Sequence, residues 1–225
     1  MNTPFIDIHT HKKGKPVKGC VSVINFFAGE GDEPVPLEDT FFSIGLHPWH
    51  ISNNRLKQDF ELLRKSVINK YNIAIGETGL DRFAKATMGA QKEVFEFHLK
   101  VAQNLKKPVI IHAVRTYPDI IEAYKKSGAD VKLIFHGFNG NLQIARQLTD
   151  RNFYLSFGED LFDNRKKTAA IFEATPLNNI FLETDESAKS IVEIYEKAAS
   201  IKKVNLGELK EYIFKNFNSC FGSKI

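Results

Sequence analysis

Val109-Ile110-Ile111-His112 is a run of three β-branched residues closed by an imidazole. An uninterrupted apolar run of this length reads as a strand buried on both faces, the pattern of a parallel sheet. The closing polar residue then stands at the C-terminal end of that strand. The same grammar recurs along the chain. Glu77 closes Ile73-Ala74-Ile75-Gly76-Glu77, His136 closes Leu133-Ile134-Phe135-His136, and Asp185 follows Ile180-Phe181-Leu182-Glu183-Thr184. Near the N-terminus, Pro4-Phe5-Ile6-Asp7-Ile8-His9-Thr10-His11 alternates apolar and polar residues. A period of two places Asp7, His9 and His11 on one face of a strand.

Eight strands are expected, at Phe5–His9, Cys20–Ile24, Phe41–Leu46, Ile73–Glu77, Val109–His112, Lys132–His136, Phe153–Phe157 and Ile180–Glu183. Helical stripes lie between the later ones. They run through Leu56, Phe60, Leu63 and Val67, through Val94, His98, Val101 and Leu105, and through Ile120, Ile121 and Tyr124 with Gly128 as C-cap. Others run through Ile144, Ala145 and Leu148, through Ile191, Ile194, Tyr195 and Ala198, and through Leu209, Ile213 and Phe217, with Asn205 and Glu208 at capping-box spacing. Strand and helix in alternation imply right-handed crossovers and a parallel sheet, and eight strands suggest closure into a (β/α)8 TIM barrel. The reading is of a single domain spanning 1–225. About ten residues join the first strand to the second, too few for a crossover helix. The second link, Asn25–Thr40, carries Gly29, Gly31, Pro34 and Pro36 and reads as loop. The first two β-to-β connections are therefore shortened, and the helical coat is expected to be incomplete there.

In a barrel the C-terminal strand ends meet at one mouth, where active sites are built. Four of the seven histidines, His9, His11, His112 and His136, fall at such ends together with Glu77 and Asp185. Four imidazoles and two carboxylates suit a borderline divalent ion and exceed what one tetrahedral site requires. Two ions bridged by a carboxylate would use all six, and Glu77 on the fourth strand is the natural bridge. The rest of the composition is permissive. The formal net charge is +4, from 31 basic and 27 acidic residues, weakly compatible with a polyanionic substrate. Cys20 and Cys220 are the two cysteines, so no disulfide framework is expected and a cytoplasmic location is the default. No stretch has the ~18 apolar residues that span a bilayer, and Met1-Asn2-Thr3-Pro4 lacks a signal-peptide pattern. No obligate protein partner is inferred.

The ordered motifs carry a resemblance. They are His9-x-His11, Gly45-Leu46-His47-Pro48, Ile75-Gly76-Glu77-Thr78-Gly79-Leu80-Asp81, Pro108-Val109-Ile110-Ile111-His112, His136-Gly137-Phe138-Asn139-Gly140 and Leu182-Glu183-Thr184-Asp185. Together they resemble the TatD-related metal-dependent deoxyribonucleases of the amidohydrolase-like superfamily, over nearly the whole chain. The resemblance implies two divalent metal ions per subunit (Zn, Mn or Mg). His9, His11 and Asp185 would hold one, His112 and His136 the other, with Glu77 between them. It further implies that Asp185 accepts a proton from the attacking water and that His47 contacts substrate. The implied reaction is hydrolysis of a phosphodiester, in DNA or a nucleotide, by a metal-activated water at a binuclear site. The alternative within the same superfamily is hydrolysis of an amide, lactone or other non-nucleic-acid ester. A non-catalytic binding protein is disfavoured, because unused buried ligands are costly.

Other residues have two readings each. Asp7 either orients a metal-bound imidazole by accepting from it, the preferred reading, or hydrogen-bonds in the barrel floor. Asp81 either orients an imidazole in the same way or positions water, or it is a turn or cap residue. Arg115 either reaches a substrate phosphate, the preferred reading, or forms a salt bridge with Asp119. Trp49-His50 and Arg82-Phe83 either contact a nucleotide or pack on the rim, with packing slightly preferred. Arg165-Lys166-Lys167 reads as a phosphate site or a solvated face. Leu161-Phe162 and Phe26-Phe27 read as packing, and His98 as a structural histidine far from the mouth. The acidic loop Gly29-Glu30-Gly31-Asp32-Glu33 counts against strong DNA binding at that point.

Overall fold

The computed structural model describes residues 3–29, 35–52 and 54–222. Residues 30–33 of the acidic loop lie outside the described residues.

All eight expected strands form. They are β1 (Phe5–Thr10), β2 (Cys20–Phe27), β3 (Thr40–Gly45), β4 (Asn72–Asp81), β5 (Val109–Val114), β6 (Leu133–Phe135), β7 (Tyr154–Phe157) and β8 (Ile180–Leu182). They belong to one sheet in the order β1-β2-β3-β4-β5-β6-β7-β8, the order of a (β/α)8 barrel. The pairs are parallel, with Phe5 opposite Cys20, Ile44 opposite Ile75, Gly79 opposite His112 and Leu155 opposite Ile180. Helices α1 (Leu56–Ser66), α2 (Met88–Leu105), α3 (Tyr117–Ser127), α4 (Leu142–Thr149), α5 (Thr168–Ala174), α6 (Ile191–Lys202) and α7 (Leu206–Phe221) follow the later strands. Among the described residues no helix joins β1 to β2 or β2 to β3, as the short connections predict. No helix of the described residues is long and apolar enough to cross a membrane.

Contacts group the chain into two units. The first is Met1–Ile24, Leu37–Thr40 and Phe135–Ile225. Here β1 is buried on both faces. Ile6 and Ile8 are fully buried, and so is His9 between them and Thr10. Tyr195 on α6 secures the start of this strand: its hydroxyl accepts from the Ile6 N–H at 3.0 Å and donates to the Ile6 carbonyl at 3.2 Å. The strand's far end meets the segment after β8, where Asp185 N–H donates to the His9 carbonyl (2.9 Å) and His11 N–H to the Asp185 carbonyl (3.3 Å). The first strand is thus joined to the last. A complete capping box starts α6, with Ser190 and Glu193 bonding each other's backbone N–H groups. At α7 the Asn205 side chain accepts from the Glu208 N–H, the first arm of the same motif. Leu209, Ile213 and Phe217 are fully buried, as their spacing requires.

The second unit is Asn25–Pro36 and Phe41–Ile134. Its centre is β4, every residue of which is buried. Thr87 caps α2, and Lys106 in the left-handed region ends it before Pro108. Val94, Phe95, Leu99 and Ala102 of α2 are fully buried, while Phe97 stacks on Phe60 of α1 at 3.9 Å and 13°. Gly128 at φ 65° terminates α3, because the left-handed C-cap position disfavours a Cβ.

Candidate metal centre

In the first unit, three imidazoles and a carboxylate converge. His9 Nε2 and His11 Nε2 lie 3.8 and 3.5 Å from the same Asp185 oxygen, Oδ1. The His136 ring, one residue beyond β6, is 4.4 Å from the His9 ring. Asp185 adopts φ 48°, a left-handed conformation that Asp tolerates better than most residues. That turn lets its backbone pair with β1 while its side chain stays 42% exposed. Asp7 lies two residues before His9. Its Oδ1 accepts from the Thr184 N–H (2.9 Å) and its Oδ2 from the Thr184 hydroxyl (2.7 Å). Both Asp7 oxygens therefore go to the residue preceding Asp185, and the aspartate orients that backbone segment. Burial pushes the Asp7 carboxyl up to about 7 against the lowering influence of Thr184. Glu183, which the strand reading named without a role, is buried with Oε1 3.7 Å from His136 Nδ1 and accepting from the Gly137 N–H at 2.6 Å.

In the second unit the centre is Glu77. Its Oε1 is 3.3 Å from His47 Nε2 and 2.8 Å from His112 Nδ1. Ligand atoms of these three residues lie within 4.8 Å of one another, a spacing compatible with one cation. His47 Nδ1 accepts from the Trp49 N–H (3.2 Å), which leaves Nε2–H to face Glu77. Burial holds His47 below its ordinary pKa despite Glu77. His112 Nε2 is 3.1 Å from Asp81 Oδ2. A metal-bound imidazole commonly rests its other nitrogen on a carboxylate in this way. Burial raises the Asp81 carboxyl, but hydrogen bonds from the Phe83 N–H, His112 and the Trp49 indole outweigh it, and the net shift is downward.

The backbone around Glu77 is set by its neighbours. Gly79 has φ 150°, and a Cβ there would strike the His112 backbone carbonyl. Asn25, in the later half of β2, was missed by the sequence reading. Its side-chain oxygen accepts from the Glu77 N–H at 2.7 Å and from the Ser43 hydroxyl at 3.0 Å. The signal was present: Asn25 is the polar residue closing the apolar run Val23-Ile24, the same rule that singled out His112. His98 is a structural histidine, yet it does not lie far from the strand ends. Its Nε2 accepts from the Leu46 N–H, beside His47.

The two-way residues resolve unevenly. Asp119 pairs with Arg82 (2.6 Å) and Lys92 (3.2 Å), and the exposed Arg115 instead places its guanidinium 4.9 Å over the Phe83 ring. Trp49 and Phe83 are 62% and 65% exposed, with the Trp49 ring edge-on to His47 and its indole N–H bonded to Asp81. Arg165 pairs with Asp163 and Lys166 with Asp160 at the surface, a solvated face. Lys189 and Lys197 lie over Phe162, and Phe26 packs edge-on against Phe42.

A donor set of imidazoles and carboxylates at these separations fits a divalent ion such as zinc or manganese. The family model described as TatD related DNase matches residues 36–222, well over half the chain. This chain belongs to the TatD-related DNase family. Among its relatives, a Bacillus subtilis protein, "Uncharacterized metal-dependent hydrolase YabD", is 33% identical over 64% of this chain and 58% of its own length. An Escherichia coli K12 protein, "Uncharacterized metal-dependent hydrolase YcfH", is 28% identical over 96% of this chain and 87% of its own. The match thus spans less than two thirds of the first relative and most of the second. The crystal structure of YjjV, a TatD homologue from Escherichia coli K12, superposes with a TM-score of 0.85 at 21% identity, over 98% of this chain and 99% of that one. At that identity the likeness shows the fold, which is the TatD barrel. The matched curated members of the TatD family are metal-dependent hydrolases by description.

Proposed function

We propose that this chain acts as one catalytic domain hydrolysing phosphodiester bonds, with DNA as the favoured substrate class and two divalent ions as cofactors. The observation that carries the reading is the convergence of His9, His11 and His136 with Asp185 in one unit and of His47 and His112 on Glu77 in the other. The residues that would hold the ions are His9, His11 and Asp185, His112 and His136, and Glu77. Divalent ions so held supply Lewis-acid stabilisation of phosphoryl oxygens and lower the pKa of water.

The protein's own groups do the rest. The Asp185 carboxylate, half exposed on its left-handed turn, takes the proton from the attacking water. Asp7 and Thr184 keep that turn in register. Asn25 fixes the Glu77 backbone, so its carboxylate stays aimed between two imidazoles. His47, its Nδ1 bonded by Trp49 and its Nε2 beside Glu77, offers its ring as a contact for the substrate, and Arg115 offers a guanidinium fork to a phosphate.

The test is a metal-supplemented assay on single- and double-stranded DNA beside a panel of amides, lactones and simple esters. Cleavage of DNA that is lost with chelator is expected. Turnover confined to amides or lactones would replace this reading with another hydrolase specificity.

A further inference from the structure

Three aromatic rings of the described residues stand out as exposed large hydrophobics: Trp49 at 62%, Phe83 at 65% and Tyr212 at 37%. The first two lie beside the candidate centre, and one buried carboxylate holds both. Asp81 Oδ2 accepts the Trp49 indole N–H at 2.6 Å, and Asp81 Oδ1 accepts the Phe83 backbone N–H at 2.7 Å. Asp81 is itself fixed. Gln91 on α2 accepts its N–H at 2.7 Å and donates to its carbonyl at 3.1 Å. The Trp49 ring stands edge-on to His47 at 5.2 Å and to His112 at 6.3 Å. Arg115 lies over the Phe83 ring.

We propose that Trp49 and Phe83 form a stacking platform for an unpaired nucleobase of the substrate strand, with Asp81 positioning the Trp49 ring and the Phe83 backbone. The inference rests on the phosphodiester reading and names what is recognised beside the phosphate. A ring left in water has an unused apolar face. Here the hydrogen bonds to Asp81 have already ordered Trp49, so stacking a base on it loses little further conformational freedom. Base–aromatic stacking tolerates any base, because every base has a π-face, and a neighbouring guanidinium adds a cation. The position beside His47 and His112 sets the base next to the phosphate those residues would address.

Trp49 is the single tryptophan of the chain, so its emission reports the platform directly. The experiment titrates the full chain, in chelator to prevent cleavage, with a single-stranded thymidine oligomer and with an abasic oligomer of equal length and charge. Expected are quenching of Trp49 emission by the thymidine oligomer and about tenfold tighter binding of it than of the abasic one. Phe83→Leu should remove most of that difference and Phe83→Tyr should retain it. Equal affinity for the two oligomers, unaltered emission, or no binding of either overturns the platform. The phosphodiester reading is judged separately, by metal-dependent cleavage of DNA. A chain that cleaves DNA yet binds both oligomers alike refutes the platform alone.

Discussion

His98 Nε2 accepts the backbone N–H of Leu46 at 2.9 Å, and the opposite ring nitrogen, Nδ1, donates to the Val94 carbonyl at 2.7 Å. A fully buried imidazole thus joins α2 to the end of β3, next to His47. Both bonds require the neutral Nδ1–H tautomer. Burial is the main cause that holds the His98 pKa down at about 4, against the raising influence of the Val94 bond. The unfolded chain takes up this proton near pH 6.5, so it binds more protons than the folded chain between the two values. Stability is present in full above 6.5 and is lost as pH falls toward 4, by on the order of 3 kcal/mol in all. Urea unfolding at pH 7 and pH 5, with metals chelated, should show about half of this loss. In His98→Gln the part of the pH dependence due to His98 should vanish, with stability at pH 7 lower by about 1–3 kcal/mol.

Gly79→Ala should be among the most damaging single-methyl changes in the protein. It combines φ 150° with a collision against the His112 backbone carbonyl, which has no side-chain freedom to yield. A loss above about 3 kcal/mol is expected. Gly128→Ala makes the comparison. Its φ is 65° with open space around the added carbon, and the cost should be about 1 kcal/mol. Paired urea melts of the two variants read the difference.

Glu77→Gln and Asp185→Asn preserve shape while removing charge. Both should fold, since the Glu77 backbone is held by Asn25 and Asn also tolerates the left-handed turn at 185. Metal analysis should find about two ions bound to the wild-type chain and fewer in Glu77→Gln. Asp185→Asn should lower turnover of a phosphodiester by at least about a hundredfold. Wild-type turnover in either variant would dismiss the corresponding role.

Tyr195→Phe removes one oxygen from a fully buried ring that serves both polar groups of Ile6. Leaving the Ile6 N–H without that acceptor should cost about 1–3 kcal/mol. Thermal unfolding with metals chelated measures it. The edge-to-face contact with Phe5 at 5.1 Å should persist.

Strands, helix starts and strand-end chemistry were legible because they are local. Apolar runs closed by His or Glu mark β5 and β4 from a handful of consecutive residues, and the 3.6-residue stripe of Leu209, Ile213 and Phe217 needs one helix only. Asn25 closes Val23-Ile24 in the same local way. Partnership was not legible in the same way. Asp81 meets Trp49 from 32 positions away, and Asp7 meets Thr184 from 177. His98 occupies an apolar stripe and reads as core, yet its two ring nitrogens face different elements. No period in the chain encodes such meetings.

What the sequence by itself determined is the inventory: eight strands in order, two shortened first connections, and the side chains standing at the strand ends. Backbone periodicity and burial dictate these within short windows. What only the tertiary structure decided is which carboxylate holds which ring. Asp81 went to Trp49, Phe83 and His112, Asp7 to Thr184, and Asp119 to Arg82 and Lys92 rather than Arg115. A hydrogen bond forms only between groups within about 3 Å, and distance at that scale is created by packing of segments far apart in the chain.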